Sequence, residues 1–162
     1  MLKNRDTWFV IIISLIVLCF LSFPFIFAAR TAGADFVFTG FLFNPIDGNT
    51  YLAKMFQGWQ GHWKFRLPYT AEPGEGVYIY LFYLGLGHLA RILNLPIIIV
   101  FHLARLLSIT FLLWTMWRYY GALFSNSRPR KFAFALAALG SGMGWLWVVS
   151  GSLTSDFWVA EA

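Results

Sequence analysis

Apolar residues fill four stretches of this chain, and the polar intervals between them are very unequal. Trp8 to Ala29 is almost continuously apolar and about 22 residues long. An α-helix needs roughly 20 such residues to cross a bilayer. Further apolar runs cover Val77 to Leu93, Ile97 to Tyr120 and Phe132 to Ser150. The predicted spans are therefore 7–29, 77–93, 97–120 and 132–150. Asn94-Leu95-Pro96 reads as a tight turn between the second and third, because a proline just past a helix end stops it. Pro24 is tolerable near the end of the first span, where it can kink the helix. The interval 30–76 is the long one, and it holds Asp35, Asp47, Glu72 and Glu75, four of the seven acids.

Within that interval, Asp47 to Gly61 carries a helical period. Tyr51, Leu52, Met55, Phe56 and Trp59 fall on one face, and Thr50, Lys54, Gln57 and Gly61 on another. The segment is too short and too polar to span. An amphipathic helix lying in the interface plane fits it. Asn44-Pro45-Ile46-Asp47-Gly48-Asn49 before it is turn chemistry.

Composition turns this pattern into a class. The chain has 162 residues, 59% of them hydrophobic and only 12% charged, with a mean hydropathy of +0.67. A soluble domain carries about a quarter charged residues. The fold class expected is all-α: one polytopic membrane domain over 1–162, with about four transmembrane helices and an amphipathic interfacial helix in the first long loop. The net charge of +5 comes from bases flanking apolar runs, which points to a lipid bilayer and not to nucleic acid. The single cysteine, Cys19, lies inside the first run, so the chain holds no disulfide framework and no cysteine metal site. Lys3 and Arg5 before that run, and Ala32-Gly33-Ala34 after it, would also suit a cleaved signal sequence. The run is longer than the usual signal core of 7–15 residues, and an uncleaved span is expected. With four spans and the N-terminus inside, Arg118, Arg128, Arg130 and Lys131 fall outside, against the positive-inside rule.

Few residues carry candidate chemistry. Asp47 has two readings: a helix N-cap, since Asp accepts the free backbone N–H groups, or a carboxylate base, with Glu72 as a second acid. His88 and Arg91 share one helix face, and His102 and Arg105 repeat the spacing. Arg91 suits a membrane boundary. Arg105 lies nine residues past Pro96, roughly 13 Å along a helix. An arginine that deep costs about 2.5–3.5 kcal/mol on insertion scales and so faces a protein interior or an anionic group. Gly140 and Gly144 have the small-xxx-small spacing of close helix packing, so further spans or subunits are expected to pack on 132–150. No nucleotide-loop motif is present, and Asp47-Gly48-Asn49 lacks the D-x-D of metal-dependent sugar transferases. No metal ligand set is assigned, although a divalent metal is compatible with the acids.

Several segments together resemble the first extracytoplasmic loop of bacterial GT-C-type membrane glycosyltransferases. They are Phe38-Thr39-Gly40, Asn44-Pro45-Ile46-Asp47, Tyr51-Leu52-Ala53-Lys54-Met55 and Gln57 to Trp63. Tyr69-Thr70-Ala71-Glu72-Pro73, Leu86 to Ala90 and His102 to Leu106 are similar as well. The resemblance implies transfer of a sugar from a polyprenyl-phosphate donor to a lipid, glycan or protein acceptor. It implies Asp47 as the base, and Arg105 or Arg91 near the donor phosphate, with Tyr51 and His102 in the substrate-binding set. It also implies residence in the cell (plasma or inner) membrane with the N-terminus inside. Such enzymes carry eight or more spans, so the chain is expected to be an N-terminal portion, truncated at its C-terminus and inactive alone. The rival expectations are a non-catalytic helical scaffold or accessory protein, and a transporter fragment.

Overall fold

The computed structural model describes residues 4–32, 38–42 and 44–140. Five α-helices and no strand occur among them: α1 (Asn4–Thr31), α2 (Pro45–Trp59), α3 (Leu81–Leu93), α4 (Ile97–Leu123) and α5 (Ser127–Leu139). The all-α expectation holds. Asp35, Gly144 and the last dozen residues lie outside the described residues.

Two helices, Arg5–Thr31 and Ile97–Leu123, are long and apolar enough to cross a membrane. Each has 27 residues, about 40 Å at 1.5 Å per residue, against a hydrocarbon core of roughly 30 Å. The most apolar window of α1 is 0% buried, unlike the core helix of a soluble fold. Phe20 and Phe23 stand 74% and 66% exposed along it, a surface suited to hydrocarbon. The helix continues through Pro24.

Of the other two predicted spans, the one over 77–93 is shorter in the structure, and more than half of the one over 132–150 lies outside the described residues. α3 has 13 residues, about 20 Å, too short to cross upright. Its predicted first turn is lost because Val77 pairs with Phe65 in an antiparallel bridge (N···O 2.8 and 3.0 Å). Tyr80 then takes the left-handed conformation (φ 57°), which a helix cannot extend through. α5 starts five residues before the predicted fourth run and is described only to Leu139. Its first turn contains Arg128-Pro129-Arg130, expected to be loop, because proline is tolerated there. The predicted turn at Asn94 is present. Asn94 is left-handed (φ 52°), and the Leu95 N–H reaches back to the Ala90 carbonyl at 3.0 Å.

The described residues fall into two compact units, one drawn from Met1–Ser22 and Thr110–Ala162, the other from Phe23–Ile109. In the second, α2 crosses α3 with backbones nearly touching. A Cβ on Gly58 would sit 2.0 Å from the Leu84 carbonyl oxygen, and one on Gly87 would sit 1.9 Å from that of Met55. Met55, Leu84 and Ala90 are fully buried around this crossing, and Val100 of α4 closes the core. In the first unit Trp117 of α4 meets Phe134 of α5 edge-on at 5.5 Å. Asp6 of α1 accepts from Ser127 at 2.8 Å and pairs with Lys131 at 2.6 Å.

The crossing yields a test. Alanine in place of helical glycine ordinarily stabilises by about 1 kcal/mol. Gly87→Ala is expected instead to destabilise by about 2 kcal/mol or more, since backbone cannot give way as a side-chain tip can. Gly85→Ala in the same helix faces open space and should be neutral or stabilising. Thermal unfolding of the two variants in detergent checks the contrast. Equal midpoints would contradict the close crossing.

Candidate functional site

Chemistry-bearing side chains gather along α2 and the segment that returns over it. The helix begins after Asn44, whose left-handed backbone (φ 45°) turns the chain, and Pro45 takes the first helical position. The Asn44 side chain is the cap: its Oδ1 accepts from the Asp47 N–H at 3.5 Å. Its Nδ2 also donates to Asp47 Oδ2 at 2.5 Å. Asp47 is therefore not the N-cap. It occupies the third helical position, exposed, at the positive end of the α2 dipole. One turn on, Thr50 Oγ1 donates to the Asp47 carbonyl at 2.8 Å.

Thr50 opens a groove. Two clefts of about 190 and 360 Å³ lie between α2 and residues 62–80, and a third of about 530 Å³ lies within residues 65–80. Leu67 lines all three. α2 contributes Thr50, Ala53, Lys54, Phe56 and Gln57, and its C-cap residue Gln60 adjoins them. The opposite wall brings His62, Arg66, Tyr69 and Thr70. Gln57 locks the two walls together. Its Nε2 donates to the Arg66 carbonyl at 2.8 Å, and its Oε1 accepts from the Arg66 N–H at 2.9 Å. Lys54 lies over the Tyr80 ring at 4.1 Å and the Tyr51 ring at 5.1 Å, cation–π contacts worth about 0.5–1 kcal/mol each when exposed. Trp63 stacks on His88 of α3 at 4.0 Å, and the His88 ring hydrogen-bonds the His62 carbonyl. An aromatic and proline-lined groove with amide, imidazole and guanidinium groups at its edge suits a sugar. Apolar ring faces stack, and hydroxyls take the polar groups.

The predicted site residues do not all converge. Glu72 is exposed on the outer wall, its N–H bonded to Thr70 Oγ1 at 3.3 Å, and no hydrogen bond joins it to Asp47. Neither acid lines the three clefts; Asp47 stands one helical turn before Thr50. Tyr51 stacks on Tyr83 of α3 at 5.0 Å and braces the two helices. Burial, aided by the Tyr51 hydroxyl, pushes Tyr83 above the ordinary phenol value. Arg91 packs against Gly61 at the C-terminal end of α2, where a cation complements the helix dipole. Arg105 and His102 belong to a different cluster. The Arg105 guanidinium lies over the Phe25 ring at 3.8 Å, and His102 meets Phe25 at 5.2 Å and the Gly40 backbone. Both have a buried ring or guanidinium nitrogen without a hydrogen-bond partner, His102 Nδ1 and Arg105 Nε. Among the described residues no three His, Cys, Asp or Glu side chains come together to hold a metal.

The groove's outer wall escaped the sequence reading. Its one signal was the polar α2 face of Thr50, Lys54 and Gln57, which needed something to face. Gln57→Ala should release that wall, and with two hydrogen bonds at about 1 kcal/mol each, the Arg66 amide should exchange roughly thirtyfold faster. Hydrogen exchange of the two proteins measures this; unchanged protection would show that the wall is held elsewhere. Comparison of the chain with protein-family models, with curated proteins and with solved structures finds no match.

Proposed function

We propose that this chain is the N-terminal portion of a multi-pass membrane glycosyltransferase that uses a polyprenyl-phosphate sugar donor. The observation that carries the reading is Asp47: an exposed carboxylate, fixed in orientation by Asn44, one helical turn from an aromatic groove. The acceptor lies in the groove, with a hydroxyl directed at Asp47. The carboxylate takes the hydroxyl proton as the oxygen bonds to the anomeric carbon. The bond from that carbon to the donor phosphate breaks, and polyprenyl phosphate leaves with the electron pair. General-base help of this kind contributes about 10² to 10⁴ in rate. Arg105 suits the donor phosphate, because a cation with an unsatisfied buried N–H favours an anion. Arg91 is occupied at the end of α2 and Tyr51 by its stack, so both act as braces in this reading.

Orientation supports the same account. If α3 does not cross, the start of α1 and the end of α4 face one side of the bilayer. Asp6 already meets Ser127 and Lys131 within one unit. Lys3, Arg5, Arg118, Arg128, Arg130 and Lys131 then share that side. The positive-inside rule favours the cytoplasm for that side, and the reading assigns sugar transfer to the outer face. The conflict of the four-span arrangement disappears. The cell membrane is the location that follows.

The test is sugar transfer from polyprenyl-phosphate donors by the full-length protein. Asp47→Asn keeps the size and the helix start, so it should fold and lose on the order of 10² or more in rate. Undiminished transfer by Asp47→Asn would sink the assignment.

A further inference from the structure

A second cavity lies wholly within the first unit. It has a volume of about 200 Å³ and is lined by Thr7, Val10 and Ile11 of α1, Trp114, Trp117 and Arg118 of α4, and Arg130 of α5. Its chemistry is lopsided. Trp117 is 3% exposed, yet its indole N–H has no acceptor. The Arg130 Nε is buried and equally unpartnered. The rest of Arg130 is held in place: its guanidinium lies over the Trp117 ring at 3.6 Å, and one terminal nitrogen donates to the Trp117 carbonyl at 2.8 Å. Gly121 leaves the space that this guanidinium fills. Burial lowers Arg130 from its ordinary value, Asp6 raises it and the Arg118 charge lowers it again.

The surrounding charge is uncompensated. Among the described residues of this unit are five bases, Arg5, Arg118, Arg128, Arg130 and Lys131, and one acid, Asp6. Asp6 is already engaged by Lys131 and Ser127. A buried donor without a partner costs about 1–3 kcal/mol, so two beside two guanidinium groups call for an anionic acceptor. The other walls are apolar and belong to the two helices long enough to cross a membrane. One kind of molecule presents an anionic oxygen cluster joined to hydrocarbon at that depth.

We infer that this cavity is a binding site for an anionic phospholipid. A phosphate oxygen accepts from the Trp117 indole and from Arg130, Arg118 closes over the headgroup, and the first part of an acyl chain lies against Val10, Ile11 and Trp114. Basic pockets between spanning helices on the cytoplasmic side hold anionic headgroups in this way. The site shares no residue with the Asp47 groove and does not depend on sugar transfer. It requires only that α1 and α4 lie in a bilayer.

The experiment is native mass spectrometry of the full chain in zwitterionic detergent. The probes are phosphatidylglycerol, phosphatidylcholine of the same chain length, and inorganic phosphate. Phosphatidylglycerol should be retained in a one-to-one complex that phosphatidylcholine does not form and that millimolar inorganic phosphate does not displace. Arg118→Gln, at an exposed position, should weaken retention by about tenfold, the loss of one charge-assisted contact. Trp117→Phe keeps a ring but removes the N–H, and it should weaken retention several-fold. Arg66→Gln, outside the cavity, should leave lipid retention unchanged. Equal retention of the two lipids, displacement by inorganic phosphate, or equal effects of Arg118→Gln and Arg66→Gln would each overturn the proposal. In the last case the bases serve an acid of this chain, and no lipid is held.

Discussion

The near-contact of the α2 and α3 backbones is the constraint on which the candidate site rests. Gly58 and Gly87 let each helix press into the other, so that Leu84 and Met55 pack carbonyl against glycine. At that distance Tyr51 can stack on Tyr83, and the His88 and Trp63 rings overlap. Without the crossing, the returning segment would have no platform to lie on. Gln57 and the Phe65–Val77 bridge then fix that segment, and the groove is what remains between it and α2.

Two kinds of polar interaction divide the work in the second unit. Some close the structure: the Lys54 contacts with its tyrosines, Arg91 at the end of α2, and Gln57 on the Arg66 backbone. Others stay open: the second oxygen of the Asp47 carboxylate, whose Oδ2 is held by Asn44, and the buried nitrogens of His102 and Arg105. The second set is where a ligand can gain most, because those groups have the least to lose by binding. Asp47 differs from a plain cap because Asn44 has taken that role.

Much of the fold was legible from hydrophobic pattern. α1 and α4 show as continuous apolar runs, and α2 shows as a period with a polar face. The turn at Asn94 was written in Asn and Pro. What was hidden came from contacts distant in sequence. α3 is short because Val77 pairs with Phe65 twelve residues earlier, and no local period reports that. Phe56 and Trp59 share the apolar face of α2 with Met55, but Met55 is buried whereas both of them are exposed and stack on each other at 5.7 Å. The buried positions beside Met55 are Gly48 and Gly58, which add little to any hydrophobic pattern. Likewise the acid at Asp47 was visible, but the pairing of Gln57 with the Arg66 backbone, which forms the groove wall, comes only from the tertiary fold.

The proposed reading has α1 and α4 crossing the bilayer and the 13-residue α3 not crossing, and that topology can be tested directly. The most direct measurement is cysteine labelling in intact cells with a membrane-impermeant maleimide. Cys19→Ser supplies the background, with Thr70→Cys on the groove wall or Ser125→Cys between α4 and α5. The account predicts labelling of Thr70→Cys in intact cells, and of Ser125→Cys only after permeabilisation. The reverse pattern, or equal labelling of both, would contradict it.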